Sequence, residues 1–113
     1  MELSSHLEND VLVIELDGEF MGGADSEMFV QTIEKTLQDE HPNVVVDMAR
    51  VTWMNSSGLG LLIAALTSLR SGGGDLRLAN LTERLQRPLQ ITKLDTVFQR
   101  YDSVQKAIES FTE

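Results

Sequence analysis

Two adjacent hydroxyls, Ser56 and Ser57, stand in the segment Asn55-Ser56-Ser57-Gly58-Leu59-Gly60, downstream of the β-branched run Val44-Val45-Val46-Asp47-Met48 and at the point where a helix should begin. A hydroxyl at such a place can be bonded, read by a partner or phosphorylated. Helix N-termini present unpaired N–H groups and the positive end of the macrodipole, so a phosphate on either serine would be held locally while the surface outside turns more negative. That is the chemistry of a switch more than of a catalyst. Capping alone explains one of the three polar residues, or two, since Asn and Ser are preferred caps. It leaves the third unexplained, together with Gly58 and Gly60, two small positions that would let another backbone approach the first turn closely.

Catalytic constellations are hard to build from the remaining residues. Gly58-Leu59-Gly60 lacks the third glycine of a dinucleotide fingerprint, and no Gly-Lys-Ser/Thr follows any glycine pair. Ser57-Gly58 lacks the first glycine of a nucleophile elbow, and His6 and His41 have no spacing that argues for a base. Asp17, Asp25 and Asp47 read as turn and cap residues rather than as paired carboxylates. With no cysteine and two distant histidines, neither a disulfide framework nor a metal site is indicated, and no cofactor is expected.

The chain of 113 residues carries a formal net charge of −9, which disfavours nucleic acid and favours a protein partner with a basic or mixed face. Solubility is the plainer account of that charge. The start lacks the basic and apolar regions of a signal peptide, and the longest apolar run, Leu61 to Leu66, is far short of a membrane span, so a cytoplasmic protein is expected.

Positioning the serines requires alternating strands and helices in one domain spanning residues 1–113. Glu2 to Leu7 pairs as a hairpin with Val11–Leu16, which Asp17-Gly18 closes as a turn. A first helix runs from about Asp25 to Gln38, with Phe29, Val30, Ile33 and Leu37 on one face, and His41-Pro42 stops it. A buried strand covers Val44 to Met48, the serine helix runs from Ser57 to about Leu69, and a strand follows at Asp75–Ala79. Asn80-x-x-Glu83 reads as a capping box for a short helix that Pro88 ends; a last strand lies around Thr96 to Phe98, and Asp102-x-x-Gln105 caps a C-terminal helix. The expected fold is α/β: a mixed, mostly parallel sheet of about five strands with about four helices mostly on one face. Trp53 is expected in core or rim packing, with an interface anchor as the other reading. Met21-Gly22-Gly23 is permissive backbone on the same sheet edge as the serines, and Arg84 and Arg87 read as a solvated face.

At these residues the chain resembles the domain shared by sulfate transporters and anti-sigma factor antagonists, the STAS domain, in its free-standing bacterial form. The resemblance rests on Val51-Thr52-Trp53-Met54-Asn55-Ser56-Ser57-Gly58-Leu59-Gly60-Leu61-Leu62. It extends to Ile91-Thr92-Lys93-Leu94-Asp95-Thr96-Val97-Phe98 and Tyr101-Asp102-Ser103. One departure is Asn55, where the family has Asp. The resemblance implies a non-enzymatic antagonist, phosphorylated at Ser56, that binds a serine-kinase anti-sigma factor when unmodified and so frees a sigma factor; a serine phosphatase resets it. Asn55, Ser56, Ser57, Gly58, Gly60, Trp53, Gly22 and Gly23 then form the expected partner surface. Two other classes stay open: a non-phosphorylated structural subunit of a larger assembly such as a lipid-transport complex, and a small-ligand or nucleotide sensor.

Overall fold

The computed structural model describes residues 1–91, 93 and 96–112, with the side chains of Asp25 and Pro88 outside that description. β1 (Glu2–Glu8) and β2 (Val11–Phe20) form an antiparallel hairpin. Its two-residue loop, Asn9-Asp10, has φ of 53° and 64°, the left-handed pair that matches the natural twist of the strands and that Asn and Asp tolerate. β2 does not stop at Asp17-Gly18. The pairing with the next strand slips between Glu15 and Asp17 and again between Gly18 and Glu19, so these residues make a bulge inside a longer strand, with Gly18 at φ 108°.

A short 3₁₀ turn (Gly23–Ser26) leads into α1 (Glu27–Gln38); then come β3 (Asn43–Met54), α2 (Ser56–Ser71), β4 (Asp75–Ala79), α3 (Glu83–Ile91), β5 (Gln99–Tyr101) and α4 (Val104–Ser110). The sheet order is β1-β2-β3-β4-β5, parallel from β2 onward. Alternate residues serve opposite faces. Ile14, Leu16, Val44, Val46, Met48, Leu76 and Leu78 pack with Phe29 and Ile33 of α1, Leu62, Leu66 and Leu69 of α2, and Leu85 and Leu89 of α3. Val11, Val13, Val45 and Ala79 meet Ala107 and Ile108 of α4 on the other face. The run Val44-Val45-Val46 is fully buried because both faces of β3 are covered, as a parallel central strand requires.

α4 is anchored through Arg77, whose side chain points to its face from between Leu76 and Leu78. The guanidinium donates from Nη1 to Ser110 Oγ at 2.7 Å and from Nε to Asp75 Oδ2 at 3.1 Å, and it lies 4.0 Å from the Phe111 ring centroid. Asp75 accepts a second guanidinium from Arg70, at 3.0 Å.

Several boundaries differ from the sequence expectations. β3 continues through Met54 instead of ending at Met48, since Val51 and Met54 still face the core while Arg50 and Thr52 face solvent. Val30 is exposed, and buried Thr36 takes a place on the inner face of α1, its hydroxyl donating to the His41 carbonyl at 2.6 Å. Pro88 does not end α3. The helix runs on to Ile91 because burial of Leu85 and Leu89, one turn apart, outweighs the loss of one backbone donor. Asn80 is not a cap: its amide donates to Asp47 Oδ1 at 3.0 Å, and Thr82 is the residue whose carbonyl opens α3. The final strand is Gln99–Tyr101. Buried Phe98 belongs to the core, not to the strand, and Thr92, Leu94 and Asp95 of the quoted C-terminal segment lie outside the described residues. Ser103, not Asp102, caps α4, accepting from the Lys106 N–H at 3.1 Å.

Candidate functional site

Phe20 ends β2 opposite Met54, which ends β3, so the two following segments leave the same edge of the parallel sheet side by side. From β3 the chain passes through Asn55, in extended conformation, into α2. Asn55 Oδ1 accepts the Gly58 N–H at 2.8 Å, and the Asn55 carbonyl accepts the Leu59 N–H at 3.0 Å, which together cap and start the helix. Asn55 is therefore the cap, and Ser56 and Ser57 are the first two helical residues rather than caps. Both are exposed, and neither side chain is hydrogen-bonded to any described residue.

Gly58 explains how the helix start is held. A Cβ there would lie 2.0 Å from the Phe20 carbonyl oxygen, so only glycine lets the first turn of α2 rest on the end of β2. The close approach expected of Gly58 is made by the chain's own Phe20. The Phe20 ring is buried and meets Phe29 of α1 edge-on at 5.2 Å, fixing the loop between β2 and α1. Gly60 differs, since a Cβ there would meet open space.

Met21-Gly22-Gly23 crosses in front of α2. Gly22, at φ 78°, stands so close to Ser57 that a Cβ would come within 2.8 Å of the Ser57 Cβ, and its N–H donates to the buried Ser26 Oγ at 3.1 Å. Ser57 thus has one flank against the loop, while Gly23, at φ 70°, is open. Of the residues proposed from sequence, the structure brings Gly22, Asn55, Ser56, Ser57 and Gly58 together. Gly23 and Gly60 border them, and a side chain at either would meet open space.

Of the two packing places expected for Trp53, the structure gives the rim and not the core. The residue is 44% exposed, in a recess lined by Glu83, Arg84, Arg87 and Ile91. Met21 and Met28 are further exposed apolar side chains, the first in the loop before α1 and the second in its first turn. Sequence reasoning did not find Phe20 or Ser26. The only local signal for Phe20 was the glycine demanded at Gly58, and nothing marked Ser26 as the acceptor that braces Gly22.

Chemically the arrangement offers an exposed hydroxyl at a helix N-terminus with no side-chain hydrogen-bond partner among the described residues. His41 precedes β3 at the sheet edge opposite the serines, and His6 lies on β1 beside Glu8. Asp17 faces Arg50 at 3.8 Å and Asp47 accepts from Asn80 and from the Ala49 N–H, so these two carboxylates serve separate structural ends. Among the described residues no group of three or more His, Asp or Glu is set to hold a metal, and no helix is long and apolar enough to cross a membrane.

Comparison with known proteins agrees with this geometry. A Thermotoga neapolitana protein named as an anti-sigma factor antagonist is 30% identical over 76 residues, 67% of either chain. A Thermotoga maritima anti-sigma factor antagonist structure superposes with a TM-score of 0.86 at 21% identity, covering 98% of this chain and 95% of that one. The Bacillus cell fate determinant SpoIIAA in its phosphorylated form gives 0.77 at 20% identity, covering 97% and 99%. The family model described as the STAS domain matches residues 3–107, and the chain belongs to that family.

Proposed function

We propose that this chain is an anti-sigma factor antagonist: a non-catalytic protein-interaction module switched by phosphorylation of Ser56. The observation that carries the reading is the setting of Ser56, an exposed hydroxyl without a partner among the described residues, at the first position of a 16-residue helix. Asn55 already occupies the Gly58 N–H, which leaves the N–H groups of Ser56 and Ser57 and the helix dipole to face a phosphate. The names of the Thermotoga relatives support the class of partner, and a phosphorylated form is described for SpoIIAA.

In this reading the unmodified protein binds an anti-sigma factor of the serine-kinase type through Asn55, Ser56, Ser57, Gly58, Gly60, Trp53, Gly22 and Gly23, and sigma factor is released. The kinase uses ATP that it binds itself; phosphorylation dissociates the complex, and a serine phosphatase restores the hydroxyl. All of this takes place in the cytoplasm. The test is incubation with the cognate kinase and ATP. One phosphate is expected on Ser56 by mass spectrometry, and Ser56→Ala should abolish it while keeping the complex. Phosphate confined to Ser57 would overturn the residue assignment.

The neutral cap at Asn55 favours a second reading, a constitutive subunit of a larger assembly such as a lipid-transport complex, in which the same surface packs on its partner unmodified. A partner that binds tightly yet never phosphorylates either the wild type or Asn55→Asp would select it.

A further inference from the structure

β3 outruns its neighbour. β4 pairs with it only from Asn43 to Asp47, so Arg50, Val51, Trp53 and Met54 are paired with β2 on one side and with no strand on the other. At that open edge Arg84 Nη1 donates to the Thr52 carbonyl at 3.4 Å. Beside it Trp53, 44% exposed, and Ile91, 72% exposed, join Glu83, Arg84 and Arg87 around a broad recess of about 650 Å³.

The charge of the recess is opposite to that of the molecule. On a chain of net charge −9, Lys35, Arg50, Arg70 and Arg77 are each paired with an aspartate, whereas Arg84 and Arg87, like Lys93, Arg100 and Lys106 elsewhere, form no ion pair with a described carboxylate; the recess is where two such cations line the same hollow as an exposed Trp. Because ionic screening confines their influence to roughly 8 Å at physiological salt, whatever answers these two cations must sit in the recess itself. Trp and Arg are also the residue types that carry most binding energy at interfaces, and an unpaired strand edge is a template for strand addition.

We propose that this recess docks an extended, acidic segment of a partner protein. The segment lies along the open edge of β3, its carboxylates pair with Arg84 and Arg87, and an apolar side chain inserts between Trp53 and Ile91. The surface begins three residues before Ser56 and does not depend on the phosphorylation reading.

Trp53 is the only tryptophan, so its emission reports occupancy directly. The probe is the peptide acetyl-Glu-Asp-Leu-Phe-Asp-Glu-amide, titrated into the full chain against its uncharged analogue acetyl-Gln-Asn-Leu-Phe-Asn-Gln-amide. The expected result is a saturable blue shift with the acidic peptide, at least tenfold weaker binding of the analogue, and loss of affinity between about 50 and about 300 mM salt. The double substitution Arg84→Glu with Arg87→Glu should weaken the acidic peptide at least tenfold while keeping the circular dichroism spectrum of the folded protein; Arg87→Glu alone, which leaves the Arg84 bond to Thr52 in place, should weaken it in the same direction with the melting midpoint unchanged. Equal affinity for both peptides, undiminished binding to the double variant, or no change in emission would overturn the proposal. So would self-association of the free protein or binding to anionic vesicles that quenches Trp53 in place of the peptide, which would give the surface to a second copy or to a lipid face.

Discussion

Substituting alanine at Gly58 tests the contact that holds the serines in place. The new Cβ would stand 2.0 Å from the Phe20 carbonyl oxygen and 2.9 Å from its carbon. A tolerable carbon–oxygen contact is about 3.3 Å or more, so the first turn of α2 must retreat from β2 by roughly 1.3 Å. The clash is with backbone, which cannot rotate away, and this puts the overpacking cost near the upper end of its usual range, about 3 kcal/mol. Alanine gains about 1 kcal/mol over glycine in a helix, leaving a net loss of about 2 kcal/mol and a melting midpoint lower by roughly 6 to 12 °C. Gly60→Ala is the matched control. It sits in the same helix with open space around the added methyl group, so the propensity gain should appear alone, as a stabilisation of about 0.5 to 1 kcal/mol. Urea titration followed by far-ultraviolet circular dichroism measures both. If Gly58→Ala proves as stable as Gly60→Ala, α2 does not rest on Phe20, and the account of how Ser56 and Ser57 are positioned fails.

Three further outcomes are expected. A phosphate of charge near −2 set about 6 Å from one partner carboxylate, at an effective dielectric of roughly 40 to 80, costs about 1.4 to 2.8 kcal/mol, so phosphorylation of Ser56 should weaken the complex tenfold to a hundredfold. The second phosphate ionisation lies near pH 6, and below it the charge falls to −1 and half the penalty goes. Binding of the phosphorylated form measured by calorimetry should therefore recover severalfold as pH drops from about 7.5 to about 5, with no such recovery in Ser56→Ala. Asn55→Asp should hold the cap, because both residues accept from the Gly58 N–H, so stability stays within about 1 kcal/mol while kinase turnover at Ser56 changes; equal turnover would show that the charge at this position is idle. Arg77→Ala should destabilise the fold by about 2 to 3 kcal/mol in urea, since it removes the bonds to Ser110 and Asp75 and the stacking on Phe111 while Arg70 still neutralises Asp75; a neutral effect would mean that α4 is held by Ala107 and Ile108 alone.

Much of the architecture was legible because local patterns and the global fold agree. The hairpin of the first two strands, the first half of β3, α2 and the apolar stripe of α4 each follow from periodicity and turn chemistry. What was hidden depends on contacts distant in sequence. Asp17-Gly18 has the composition of a turn, yet the neighbouring β3 carries β2 past it as a bulge. Asn80 has the spacing of a capping box, but Asp47, 33 residues away, takes its amide. Pro88 carries a local stop signal that buried Leu85 and Leu89 override.

The candidate site divides along the same line. Asn55, Ser56 and Ser57 were visible because a helix start is a local event. The partner of Gly58 was not, since it is a carbonyl 38 positions earlier, and whether Trp53 sat in the core or at the rim depended on α3, whose Glu83, Arg84, Arg87 and Ile91 line its recess.

The sheet order that repeats the chain order has a consequence for biosynthesis. Each strand lies beside the one translated just before it, so a nascent chain can add β-α units one at a time without waiting for distant sequence. Every part of the serine site, from Phe20 and Gly22 to Asn55 and Gly58, is translated before β4 and emerges ahead of it. The face that α4 covers is finished last: Val13, Val45 and Ala79 stay bare to the surrounding fluid until Ala107 and Ile108 emerge. During that interval the half-made protein already displays its hydroxyls while one side of its sheet still calls for shelter from a chaperone.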